Sequence, residues 1–92
     1  MNAPPTTRAQ RAAALLQFLR TIKRPGRALD GVAEDVSLVT AGLIDSLAVL
    51  GIVTYLEETY GIDFVERGVD PGDLVSVGGI LDLIDRETAR PA

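Results

Sequence analysis

The sequence predicts an all-α domain: a four-helix bundle with a long loop between the first and second helices and a short third helix. Three observations carry this prediction. Apolar residues recur at helical spacing in three separate stretches, and no stretch alternates polar and apolar residues for more than a few positions. The strong turn signals, Pro25-Gly26, Gly61 and Asp70-Pro71, fall between those stretches.

The first helix is expected from about Thr7 to Lys23, with Ala12, Leu15, Leu19 and Ile22 on one face and Thr6 or Thr7 as its cap. Pro25-Gly26 ends it. Arg27 to Ile44 shows no sustained period, and its 18 residues exceed most connections in small domains. Val36 and Leu38 alternate there with polar residues, which predicts a loop pinned to the core. An ordered loop of that length is a place to look for function. The second helix should run from Ser46 to about Tyr60 and stop at Gly61 in a left-handed turn. Val49, Ile52, Val53, Leu56 and Tyr60 form its core stripe. Leu47, Leu50 and Thr54 form a second stripe, which is either open to solvent or buried in an unusually central helix. Gly51, in mid-helix, costs about 1 kcal/mol relative to Ala and leaves room for a close approach.

Beyond Ile62-Asp63-Phe64, Asp70-Pro71 should cap and start a short helical turn through Leu74. Ser76 then caps a last helix, Val77 to about Thr88, with Val77, Ile80, Leu81 and Ile84 inward and Asp82, Asp85 and Arg86 outward. Gly78-Gly79 should weaken its first turn. One domain spans residues 1–92, with 1–6 and 89–92 expected to be disordered. A monomer is expected, because there is no third apolar stripe.

Composition narrows the chemistry. Apolar residues make up 47% of the chain, yet there are only two Phe, two Tyr and no Trp, so the core must be aliphatic. The absence of cysteine removes disulfides, thiolate metal sites and thiol nucleophiles, and the absence of histidine removes the commonest general base and zinc ligand. Asp70, Asp73, Glu34 and Asp35 lack the spacing of a calcium loop, so no metal site is expected. No apolar stretch is long enough to span a membrane, and Met1 to Thr7 has neither the basic start nor the apolar run of a secretory signal. The expected location is the cytoplasm.

Charge is unevenly spread. Met1 to Asp30 carries six bases and one acid, whereas Gly31 to Ala92 carries three bases and twelve acids. Between Gly31 and Glu66 there are seven acids and no base. Such a field repels nucleic acid and attracts basic protein surfaces. The basic start resembles a mitochondrial transit peptide, but Leu15, Leu16, Phe18, Leu19 and Ile22 are needed in the core. Nucleic-acid binding through Arg8, Arg11 and Arg20 is disfavoured by the lack of interleaved aromatic residues. A solvated helix face whose charge offsets the acidic half is the reading preferred.

The most informative segment is Gly42-Leu43-Ile44-Asp45-Ser46-Leu47, where the polar loop meets the apolar second helix. Ser46 can be simply the helix cap, since Ser and Asp both serve at that position. A phosphoester on the same oxygen would sit among unpaired helix-start N–H groups and at the positive end of the helix dipole. A hydrolase would need a base beside Ser46. Asp45 is adjacent, but a carboxylate is a poor proton acceptor near neutral pH and the chain has no histidine. Ser46 is therefore expected to be acted upon, and the chain is not expected to be an enzyme.

From Val36 through Ile84 the chain resembles the acyl carrier proteins, small acidic helical bundles that hold acyl chains on a phosphopantetheine arm. The resemblance centres on Asp45-Ser46-Leu47 and the helix that follows to Phe64. It is strengthened by Gly42 upstream, the pair Glu57-Glu58, the Tyr60-Gly61 stop, the chain length and the acid bias. It implies that a phosphopantetheinyl transferase moves 4'-phosphopantetheine from coenzyme A to the Ser46 hydroxyl, with Mg²⁺ in the transferase's own site. It implies thioester cargo, supplied by an acyl-loading ligase, synthase or acyltransferase. It also implies partner docking on the second helix, with Glu57 and Glu58 as charges, Leu47 and Leu50 as the apolar centre and Asp45 orienting the transferase. Ala48 and Gly51 depart from fatty-acid carriers, which usually place acids there, and the first helix is more basic than usual. These departures imply a stand-alone carrier of a specialised lipid or polyketide pathway. A peptidyl or aminoacyl carrier and an acidic interaction module, with Ser46 only a cap or a phosphorylation site, are the alternatives.

Overall fold

The computed structural model describes residues 7–26, 28–29, 31–68 and 71–88. It places four α-helices there: α1 (Arg8–Ile22), α2 (Ala48–Tyr60), α3 (Phe64–Arg67) and α4 (Val77–Thr88), with a 3₁₀ turn over Pro71–Leu74. No strand occurs among the described residues. The two termini expected to be disordered and the cap expected at Asp70 lie outside them.

Helix α1 starts as a reciprocal capping box. The Thr7 hydroxyl accepts from the Gln10 N–H at 3.1 Å, and Gln10 Oε1 accepts from the Thr7 N–H at 3.3 Å. Leu15 and Leu19 are fully buried, so this segment belongs to the core. The helix releases the chain at Lys23, which is extended, two residues before Pro25.

The long loop is pinned as its alternation suggests. It contributes Leu29, Leu38 and Ile44 to a core completed by Leu15 and Leu19 of α1, Ile52 and Leu56 of α2, Ile62, Leu74 and five residues of α4. Two backbone bonds fasten it around the start of the last helix: the Leu38 N–H donates at 2.7 Å to the carbonyl of Val75, just before the helix, and the Gly78 N–H donates to the Glu34 carbonyl at 2.9 Å.

Gly78 and Gly79 therefore do more than weaken a turn. A Cβ at Gly78 would lie 2.9 Å from the Glu34 carbonyl oxygen, and one at Gly79 would lie 2.7 Å from that of Asp73. The missing side chains let the loop and the 3₁₀ turn approach α4. Ser76 caps α4 as expected, its Oγ accepting from the Gly79 N–H at 3.0 Å. Val77, Ile80, Leu81 and Ile84 are buried, and Leu83 joins them.

Two elements differ from expectation. Helix α2 begins at Ala48 rather than Ser46, because residues 45–47 form tighter i to i+3 turns. The one-turn helix α3 was not foreseen. Asp63 caps it, accepting from the Glu66 N–H at 3.0 Å, and Gly68 ends it in the left-handed region. Asp63, Glu66 and Gly68 were the available signal.

Part of the basic face of α1 is consumed inside the fold. The Arg8 guanidinium reaches Glu34 in the loop at 2.7 Å and Asp82 and Asp85 of α4, each at 3.0 Å. Its bonds to Glu34 first, then Asp82, push its pKa further above the ordinary arginine value. Arg11 reaches Asp85 at 2.6 Å and lies 5.8 Å from the centre of the Tyr60 ring. No helix among the described residues is long and apolar enough to cross a membrane.

Candidate functional site

Gly42 sets the approach to Ser46. With φ at 75°, it turns the chain through a conformation that costs other residues about 1 to 2 kcal/mol. The turn is closed by the Leu43 N–H donating to the Leu38 carbonyl at 2.9 Å. Ile44 is thereby driven into the core at 1% exposure, while Asp45, Ser46 and Leu47 emerge on the surface. A buried isoleucine two residues back fixes the serine outside.

Leu47 holds the N-cap position of α2 and makes no side-chain cap bond; the side-chain cap comes from Asp45, at the start of the turn that leads into the helix. Its Oδ1 accepts from the Ala48 N–H at 2.9 Å, and its carbonyl accepts the same N–H at 3.1 Å. The Ser46 hydroxyl makes no hydrogen bond among the described residues. Ser46 is thus relieved of the capping role that sequence alone allowed it. Three of the donors at this start are also taken, because the Val49 N–H bonds the Ser46 carbonyl at 3.3 Å and the Leu50 N–H bonds that of Leu47 at 3.1 Å beside the capped Ala48 N–H, while the Ser46 and Leu47 N–H groups have no acceptor among the described residues. A group on Ser46 Oγ would meet the helix dipole but not unpaired N–H groups of Ala48, Val49 or Leu50.

Helix α2 turns its second stripe outward. Leu47 is 74% exposed and Leu50 65%, which decides against burial of both faces. Thr54, Glu57 and Glu58 continue the same face at i+3 and i+4 steps and are exposed too. An apolar patch beside the serine thus grades into paired carboxylates one helix-length away. On the opposite face Ile52 and Leu56 are fully buried. Val65 of α3, at 93% exposure, is a further exposed apolar residue that the sequence reading did not single out.

The structure also brings the far end of α1 to this segment. The Arg24 N–H donates to the Leu43 carbonyl at 2.8 Å. Gly51 lies against the same end of α1, its Cβ position 3.7 Å from Phe18 Cζ and 3.9 Å from Ile22 Cγ2. The approach anticipated at that glycine is made by α1, at ordinary van der Waals distance.

Elsewhere, Glu34, Asp35, Ser76, Gly78, Gly79 and Asp82 line an open groove of about 260 Å³ that shares no residue with the Ser46 segment. Glu34 and Asp82 are held by Arg8, and Asp73 is 3.5 Å from Arg86. The described residues contain no group of three or more side chains suited to hold a metal ion. Comparison of the chain with protein-family models, with curated proteins and with solved structures returned no match.

Proposed function

We propose that this protein is an acyl carrier whose Ser46 bears 4'-phosphopantetheine and whose helices form a carrier-type four-helix bundle around it. The observation that carries the proposal is the division of roles just before α2: Asp45 caps the turn that leads into the helix, and the Ser46 hydroxyl stands exposed and unengaged. An oxygen needed for capping would cost stability when esterified. This one is accessible without unfolding.

In the modification, Ser46 Oγ loses its proton and bonds the phosphorus that carries pantetheine, while the bond from that phosphorus to the adenosine bisphosphate of coenzyme A breaks. The proton acceptor and the Mg²⁺ belong to the transferase. The bound arm supplies a thiol, which this cysteine-free chain lacks, for carrying acyl groups as thioesters. The protein's own residues position and present. Gly42 and Ile44 hold the serine outward, Asp45 fixes the helix start, Leu47 and Leu50 offer an apolar contact, and Glu57 and Glu58 attract basic partner surfaces. Tethering raises the effective concentration of cargo at partner active sites. Partners are a phosphopantetheinyl transferase and acyl-loading and acyl-consuming enzymes, and the basic α1 favours a specialised lipid or polyketide pathway.

Incubation with coenzyme A and a broad-specificity phosphopantetheinyl transferase tests the proposal. Intact mass should rise by one phosphopantetheine, and Ser46→Ala should abolish the rise. Unmodified wild-type protein would defeat the carrier reading and leave an interaction module.

A further inference from the structure

The bases at the start of α1 and those just beyond its end have different fates. Arg8 and Arg11, at its start, pair with Glu34, Asp82 and Asp85. Lys23 and Arg24, just beyond its end, make no ion pair among the described residues. Their place in the fold is set by the 2.8 Å bond from the Arg24 N–H to the Leu43 carbonyl, three residues before Ser46. At about 3.8 Å per residue, the serine lies within roughly 11 Å of chain from that contact. That distance exceeds the screening length of about 8 Å at physiological salt, so the interaction depends on the reach of the two long side chains and is strongest at low salt.

A phosphodiester on Ser46 adds a negative charge in a poor setting for one. Asp45 is next to it, the Ala48, Val49 and Leu50 N–H groups already have acceptors, and only the Ser46 and Leu47 N–H groups are left to meet it. From Gly31 to Glu66 the chain supplies no base. The segment bonded to Leu43 supplies two positive charges, Lys23 and Arg24.

Resting on the carrier reading, we infer that Lys23 and Arg24 form an anion site for the phosphodiester on Ser46, the ligand class being a singly charged phosphate ester covalently held by the chain. The paired cations offset the repulsion from Asp45. They act on the phosphate and not on the cargo, so the site serves every acyl group alike.

A double-mutant cycle between charge and modification tests this. Wild type and Lys23→Gln/Arg24→Gln are each converted with coenzyme A, conversion is confirmed by intact mass, and apo and holo melting temperatures are compared at low salt and at about 1 M salt. Glutamine keeps the Arg24 backbone bond, and Arg24→Gln alone serves as a milder variant. At low salt, conversion should lower the melting temperature of the double variant by about 2 to 4 °C more than that of wild type, with the single variant between them. The difference should vanish at high salt. The Arg24 Nε–H resonance of wild type should shift on conversion. Equal apo-to-holo changes in wild type and double variant at low salt would overturn the inference while leaving the carrier reading intact. Absence of any mass gain would overturn both.

Discussion

Asp45 and Ser46 are adjacent, both suited to helix starts, and the fold assigns them different tasks. Removing the side-chain cap by Asp45→Ala should cost about 1 kcal/mol, a fall of roughly 4 to 8 °C in melting temperature, because it leaves the Ala48 N–H with only the longer 3.1 Å bond to the carbonyl of residue 45. Ser46→Ala deletes an exposed, unbonded hydroxyl and should stay within about 0.5 kcal/mol of wild type. Thermal melts of the two variants check the assignment, and the reverse order would mean that the serine is the cap. A second residue-level prediction concerns the α1–α2 contact, where Phe18 stacks on Tyr55 with ring centres 4.5 Å apart and Tyr55 meets Tyr60 edge-on. Both phenol oxygens are buried without a well-formed hydrogen bond, and the polar partner each approaches is the other phenol. Burial pushes both phenols up, Tyr60 to about 12. Since the folded value exceeds the ordinary value near 10, the associated stability is present in full below about pH 10 and is lost as pH rises towards 12. Phenolate absorbance should show Tyr60 titrating late, with the melting temperature falling over the same interval. Titration at the ordinary value in the folded protein would contradict the burial of that phenol oxygen.

At the scale of the elements, the glycines separate local propensity from tertiary packing. Gly51→Ala should stabilise α2 by about 1 kcal/mol, since its Cβ meets Phe18 and Ile22 at 3.7 and 3.9 Å. Gly78→Ala has the same helical advantage but drives its Cβ to 2.9 Å from the Glu34 carbonyl oxygen, and should destabilise by about 1 to 3 kcal/mol. Denaturant unfolding of both variants checks the contrast, and a Gly78→Ala protein as stable as wild type would mean that the loop is not docked there. The same comparison shows what could be read beforehand. The three longer helices, their caps at Thr7 and Ser76 and the stop at Gly61 were legible because they depend on neighbours within four residues. The meaning of Gly78 was not, because its partner Glu34 is 44 positions away. Helix α3 escaped because a single turn is too short to show a period, although Asp63 and Gly68 marked its ends. At the site, the two-stripe pattern of α2 left Leu47 and Leu50 either exposed or buried, and only the packing of the whole bundle decides for exposure. The choice between Asp45 and Ser46 as cap, and the arrival of Arg24 beside Leu43, required coordinates.

The molecule as a whole is organised by where its charges end up. Arg8 and Arg11 bind the start of α1 to the loop and to α4, while Glu57 and Glu58 remain exposed on the face that begins with Leu47 and Leu50. Exposed rim charges govern encounter rate more than fold. Glu57→Lys should therefore slow transferase modification several-fold at low salt, lose the effect as salt rises, and leave the melting temperature nearly unchanged. Initial rates across a salt series check this, and a rate indifferent to both the substitution and salt would remove α2 from the docking surface.

Beneath each of these proposals lies one bond, from an exposed serine oxygen to phosphorus. The most direct test is fragment mass spectrometry of the chain after treatment with coenzyme A and a competent transferase. The account predicts a single phosphopantetheine, located on Ser46 and on no other residue. An unmodified Ser46, or the same added mass on a different side chain, would contradict it.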